Sequence, residues 1–273
     1  MSAPDRISWG RTAVDGWVVT QRNLIKIKRV PEVLVWVLMS PIMFVLMFAF
    51  VFGGAIDAGD DLSYREFLLA GIFAQTVVFG ATFSGASLAE DMTKGIIDRF
   101  KSLPMSRSAV LIGRTAADIV YNFLSLIVMA LTGLAVGWRA HEGVAHTLAG
   151  FALLLVFGYA VSWIMAFVGL IVPSVDVVNN ASFMVIMPLT FVSNAFVPLE
   201  SFSGFLRTLV EWNPVSALTQ AARELFGNTS GGAPAPEVWS MQHPAVYTLM
   251  WVGLILLVFV PLSVRQYARA TPK

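Results

Sequence analysis

From Val33 to Phe52 the chain runs without a charged side chain. Further apolar stretches follow at about 66–88, 109–136, 147–172, 177–197 and 245–264, and most charges fall between them. In hydrocarbon every backbone N–H and C=O needs an internal partner, so such stretches predict helices that cross a membrane. A strict alternation of polar and apolar positions, which a transmembrane barrel would need, is missing. The expected fold is all-α and integral to the membrane, with six transmembrane helices in one domain over 33–264. The first stretch is too long for a signal-peptide core and is expected to stay as a span.

Ahead of the first span, residues 1–32 mix Arg6, Arg11, Arg22, Lys26, Lys28 and Arg29 with Trp9, Val14, Trp17, Val18 and Ile25. Ile7, Val14, Val18 and Ile25 lie near one helical face. This predicts an amphipathic helix on the membrane surface, its basic side meeting anionic lipid. Of the 18 Lys and Arg residues, only Arg65, Arg139, Arg207 and Arg223 fall in intervals on the opposite side from the N-terminus. Basic residues collect on the cytoplasmic side, so both termini, including the tail 265–273, are expected there.

Catalytic chemistry is not evident. No phosphate-binding glycine loop occurs, so the chain carries no nucleotide site of its own and is not expected to be an enzyme. There are no cysteines. His141, Glu142 and His146 share a loop but lack metal-site spacing. No metal or other cofactor is expected on this chain.

Two intervals stand out. Residues 89–108 form the longest charged link between spans, with Ile96, Ile97, Phe100 and Leu103 as an apolar edge and Glu90, Asp91, Asp98, Arg99 and Lys101 as a charged side. Pro104 ends it. Such a helix suits a groove on a soluble partner. Just beyond, Arg114 and Asp118 are four apart and can pair on one helical face. The second interval, 198–244, shows two short helical patterns separated by Asn213-Pro214, then a Gly/Ser/Pro-rich loop at 227–236.

With these residues in view the chain resembles the membrane permeases of type-2 ATP-binding-cassette exporters, above all the daunorubicin-resistance branch. The resemblance rests on Glu90-Asp91, Gly95, Arg99, Leu103-Pro104 and Arg107 followed by Gly113-Arg114 and Asp118; on Asn194-Ala195-Phe196-Val197-Pro198-Leu199; and on Trp212-Asn213-Pro214 with Arg223. It implies a six-span permease that pairs with a second permease, identical or related, above ATPase subunits that bind ATP and Mg. It implies that Glu90, Asp91, Gly95, Arg99, Phe100, Leu103 and Pro104 belong to an ATPase-coupling segment. Asn213 and Pro214 would lie in short re-entrant helices on the outer side before the last span. Arg114, Asp118 and Arg223 are expected to be structural.

The family's route between two permeases, near spans 1, 2 and 5, makes Met39, Met43, Met47, Gln75, Phe79, Asn180, Met184, Met187 and Asn194 candidates for the translocation path. Met and Phe line an apolar, adaptable route, while Gln and Asn supply isolated hydrogen bonds. The expected cargo is a drug-like or lipid-like amphiphile leaving a bacterial cell through the inner membrane. Export of a polysaccharide or glycolipid is the first alternative, and a non-translocating membrane scaffold is the second. No nucleic-acid partner is expected.

Overall fold

The computed structural model describes residues 14–22, 25, 39, 41–47, 50, 64–97, 100, 107–172, 174–229 and 237–269. Helices are named in chain order: α1 (14–22), α2 (41–47), α3 (Tyr64–Gly80), α4 (Thr82–Thr93), α5 (Arg107–Ala135), α6 (Gly143–Ile171), α7 (Val175–Phe191), α8 (Gly204–Glu211), α9 (Pro214–Phe226), α10 (Trp239–Gln242) and α11 (Pro244–Arg269).

The bundle is built around α6. This helix is apolar on all sides, as a helix surrounded by others must be, and α3, α4, α5, α7, α9 and α11 all pack on it. Its partners share their faces between neighbour and lipid. In α5 the usual polarity is reversed: Thr115, Asp118, Asn122 and Ser125 face inward, while Phe123, Ile127 and Leu131 are exposed. Water is absent from the bilayer core, so polar side chains are the ones that gain from inter-helix contact.

One end of the bundle carries Phe73, Trp138, Phe151 and Phe226, whose rings meet at centroid distances of 5.0 to 5.9 Å. Gly227 ends α9 there in a left-handed conformation (φ 70°), and its neighbour Asn228 accepts from Trp138 Nε1 at 2.7 Å. At the other end Leu88, Ile97, Val110, Leu111, Trp163 and Tyr267 form a second core. These ends are called the Trp138 end and the Glu90 end.

The expected frame of six spans with re-entrant helices does not stand. Among the described residues four helices are long and apolar enough to cross a membrane: Tyr64–Thr93, Ala109–Ala135, Gly143–Ile171 and Pro244–Arg269. The expected span at 177–197 is the 17-residue α7, which stops at Phe191. It reaches roughly 25 Å, short of a hydrocarbon core of about 30 Å. Pro188 removes a helical N–H near its end, and the chain then turns through Ser193–Phe196. Counting apolar residues ran past that turn. Most of the expected first span lies outside the described residues. Among its described residues the interval 198–244 holds three short helices, α8, α9 and α10, and a single turn at Leu199–Ser201. None approaches span length, and α9 packs against α3, α6 and α11.

Candidate functional site

Three places gather residues singled out in the sequence. The first is a cleft of about 430 Å³ between α2, α3, the start of α4, α5 and α7. Gln75, Phe79 and Met187 line it, beside Pro41, Phe44, Phe83, Tyr121, Ser125, Phe183 and Phe191. Among the described residues no Asp, Glu, Lys, Arg or His borders it. Its polar groups are a few hydroxyls and the Gln75 amide. The break between α3 and α4 opens on this cleft: Gly80 and Thr82 line it, and the Thr82 hydroxyl donates to the Phe79 carbonyl at 2.7 Å. The other path candidates do not line it. Met39, Met43, Met47 and Met184 are exposed, as is Asn180. Asn194 is buried among Ser216, Gln220 and Arg223. Five aromatic rings of the cleft wall, those of Phe44, Phe83, Tyr121, Phe183 and Phe191, carry no path signal in the sequence, since rings are common on lipid-facing surfaces too.

The second place is the Glu90 end. Glu90 and Asp91 sit on the last turns of α4, so the helix runs into the interval expected to begin beyond it. Glu90 accepts from Lys94 Nζ at 2.6 Å. That bond holds the Lys94 ammonium above its ordinary pKa. Gly95 turns the chain with φ +66°, a left-handed conformation that an L side chain rarely adopts. Phe100 packs half-buried against the second core. Arg99, Leu103 and Pro104 lie outside the described residues. The sequence assigned Arg22 to lipid; its Nη2 instead donates to Asp91 at 2.9 and 3.1 Å.

Slightly deeper, Arg114 and Asp118 do pair, at 3.4 Å. Arg114 also donates to the Phe83 carbonyl at 2.9 Å, and the Ser84 hydroxyl donates to Asp118. The network ties α5 to the start of α4. A charged pair inside a membrane bundle persists only when such partners surround it. Ser84 carried no signal beyond being small.

The third place lies near the Trp138 end, in the 194–196 turn. Arg223 on α9 is 2% exposed and donates to the carbonyls of Phe67 (3.0 Å), Asn194 (2.7 Å) and Ala195 (3.2 Å). Tyr64 donates its hydroxyl to the Phe196 carbonyl at 3.1 Å. Asn213 caps α9 by accepting from Val215 N, and its amide nitrogen donates to the carbonyls of Leu189 and Val192. Pro214 occupies the first turn of α9, where a missing N–H costs nothing. These residues fix how α7 ends. They do not border the cleft.

His141 meets Glu66 at 2.9 Å, and among the described residues no group of three or more His, Asp or Glu could hold a metal ion.

A model of the ABC-2 type transporter family matches residues 15–226. The chain is similar to the daunorubicin resistance ABC transporter permease protein DrrB1 of Streptomyces coeruleorubidus, with 34% identity over 90% of this chain and 83% of that protein. It is also similar to the doxorubicin resistance ABC transporter permease protein DrrB of Mycobacterium tuberculosis, with 26% identity over 97% and 91% of the two chains. The match runs from α1 to the end of α9, across all three places described. The chain belongs to the ABC-2 type transporter family, and it is the multi-pass permease of an ABC exporter whose ATP is hydrolysed on a separate subunit.

Proposed function

We propose that this permease exports an amphiphilic, drug-like compound, and that its cleft is part of the route. The observation that carries this reading is the cleft wall: aromatic rings and Met187, a few hydroxyls and one amide, and no charge among the described residues. Such a wall offers dispersion and stacking to a largely apolar cargo and little to replace the hydration shell of an ion or free glycan. The names of the relatives, which speak of daunorubicin and doxorubicin resistance, point the same way.

The Glu90 end is read as cytoplasmic and as the face that meets the ATPase, through Glu90, Asp91, Gly95, Arg99, Phe100, Leu103 and Pro104. Support comes from the concentration of Lys and Arg in 1–32, 89–118 and 265–273. The end of α11 and helix α1 both sit at this end, through Tyr267 and Arg22. Both termini are therefore assigned to the cytoplasm, and the membrane to a bacterial inner membrane.

The test is cargo-stimulated ATP hydrolysis by the permease reconstituted with its ATPase subunit. Doxorubicin, a phospholipid and a polysaccharide serve as probes of three cargo classes. Stimulation by doxorubicin is the expected result. Stimulation by the polysaccharide alone overturns the cargo assignment.

A further inference from the structure

Arg22 touches the chain on both sides of the Gly95 turn. Its Nη2 reaches both carboxylate oxygens of Asp91, and its guanidinium carbon lies 5.0 Å from the centre of the Phe100 ring. The Asp91 side chain is 10% exposed and that of Arg22 is 35% exposed, so the pair is sheltered on one side only. Two residues earlier, the buried Thr20 hydroxyl is 3.1 Å from the Gly113 carbonyl on α5. The backbones approach closely there. A β-carbon on Gly113 would stand 2.5 Å from the Gly16 carbonyl oxygen and 2.7 Å from Val19 Cβ. Helix α1 is thus fastened to the chain that enters the 94–106 interval and to the chain that leaves it. Its other face carries Val14, Trp17 and Val18, all more than half exposed and suited to a lipid surface.

We propose that Arg22 is a positioning residue that clamps the coupling segment to α1, so that a displacement imposed on the segment by the ATPase carries the surface helix with it. The proposal rests on the coupling reading given above. Both contacts converge on one planar cation. Nη2 serves the carboxylate while the rest of the delocalised guanidinium stays over the ring, two contacts that the compact point charge of a lysine is poorly shaped to hold at once. Without the guanidinium, Asp91 is a nearly buried carboxylate that lacks its Arg22 partner, and the ring of Phe100 loses its cation. Thr20 and Gly113 still hold α1 against α5. Loss of Arg22 therefore loosens the clamp rather than the helix.

The experiment uses the full permease reconstituted with its ATPase subunit. It reads permease abundance, crosslinking from Ser102→Cys to the ATPase, and doxorubicin exported per ATP hydrolysed. Arg22→Ala is expected to lower export per ATP by about fivefold or more, the scale of a typical coupling between sites, with abundance and crosslinking kept. The double variant Arg22→Cys, Asp91→Cys is expected to show the same loss and to recover when a short bifunctional thiol reagent joins the two positions. An unchanged export ratio in Arg22→Ala overturns the proposal, and so does failure of the joined pair to recover. If Arg22→Ala lowers abundance, Arg22→Lys keeps a cation beside Asp91, gives up the ring contact and carries the same readout. No crosslink from Ser102→Cys in an otherwise native chain overturns the coupling reading itself, a result distinct from an intact crosslink with an unchanged ratio.

Discussion

The Arg223 guanidinium lies 3.5 Å above the centre of the Phe67 ring and donates through Nε to the carbonyl of the same residue. One side chain thereby joins α9 to both the face and the backbone of α3. Arg223→Ala leaves the carbonyls of Phe67, Asn194 and Ala195 without this donor. Each charge-assisted bond contributes about 1.5–3 kcal/mol, so the detergent-purified variant is expected to lose at least about 3 kcal/mol of stability. Arg223→Lys cannot reach three carbonyls and stack at once, and is expected to rescue little. Phe67→Leu keeps the carbonyls and should cost only about 1–2 kcal/mol. Thermal unfolding followed by tryptophan fluorescence ranks the three.

Asn213 acts through both ends of its amide. Asn213→Ala removes the α9 cap, worth about 1 kcal/mol, and strips a donor from the carbonyls of Leu189 and Val192. Asn213→Asp keeps a cap acceptor but turns a second oxygen toward those carbonyls. We expect Asn213→Asp to be at least as destabilising as Asn213→Ala, measured in the same unfolding assay. An ordinary cap would give the opposite order.

The α4–α6 crossing sets a sharp size limit. A β-carbon on Gly169 would stand 2.3 Å from the Gly85 carbonyl oxygen, whereas one on Gly253 meets nothing within 4 Å. Gly169→Ala must push two backbones apart and is expected to cost about 1–3 kcal/mol, the usual range for overpacking. Gly253→Ala should leave stability unchanged or raise it slightly. Both are read from the fraction of monodisperse protein after heating.

Side assignment is tested by thiol labelling in intact cells, with no background because the chain has no Cys. Glu142 and Lys94 are both exposed, at opposite ends of the bundle. Glu142→Cys is expected to react with an impermeant maleimide from outside, and Lys94→Cys only after the cells are opened. The reverse result inverts the proposed orientation.

The cleft separates the path candidates into two groups. Phe79 and Met187 line it, whereas Met184 is 76% exposed on the next turn of α7. The double variant Phe79→Ala, Met187→Ala is expected to raise the doxorubicin concentration for half-maximal ATPase stimulation by about tenfold or more, as loss of two apolar contacts implies. Met184→Ala should shift it by less than about twofold. Equal effects of the two variants would remove the cleft from the route.

Much of this arrangement was legible in the sequence because hydrophobic length is a direct record of the bilayer. α3 with α4, α5, α6 and α11 match the expected stretches at 66–88, 109–136, 147–172 and 245–264 to within a few residues at most ends. The Arg114–Asp118 pair followed from helical spacing alone. The end of α7 was only partly legible: Pro188 lies close to it, but the Leu189 and Val192 carbonyls are held by Asn213, more than twenty residues further on. Arg22 was hidden for a related reason. Its charge matched a juxtamembrane anchor, and only the fold brings Asp91 and Phe100 to it. The pairing of Gly85 with Gly169 needed the register between two helices, which a single chain does not display.

Helix α11 packs on α6 and α9, yet presents Leu249, Met250, Leu254 and Leu257 outward along its length. Its 26 residues extend about 39 Å against a hydrocarbon core of about 30 Å. The excess is accommodated by tilt or by carrying the Arg265 and Arg269 turn beyond the acyl chains. Tyr267 on that last turn belongs to the same core as Leu88 and Ile97, so a change in the tilt of α11 is expected to reach the end of the bundle that carries Gly95. Transport rate should therefore depend on acyl-chain length, with an optimum set by α11 and not by the cargo.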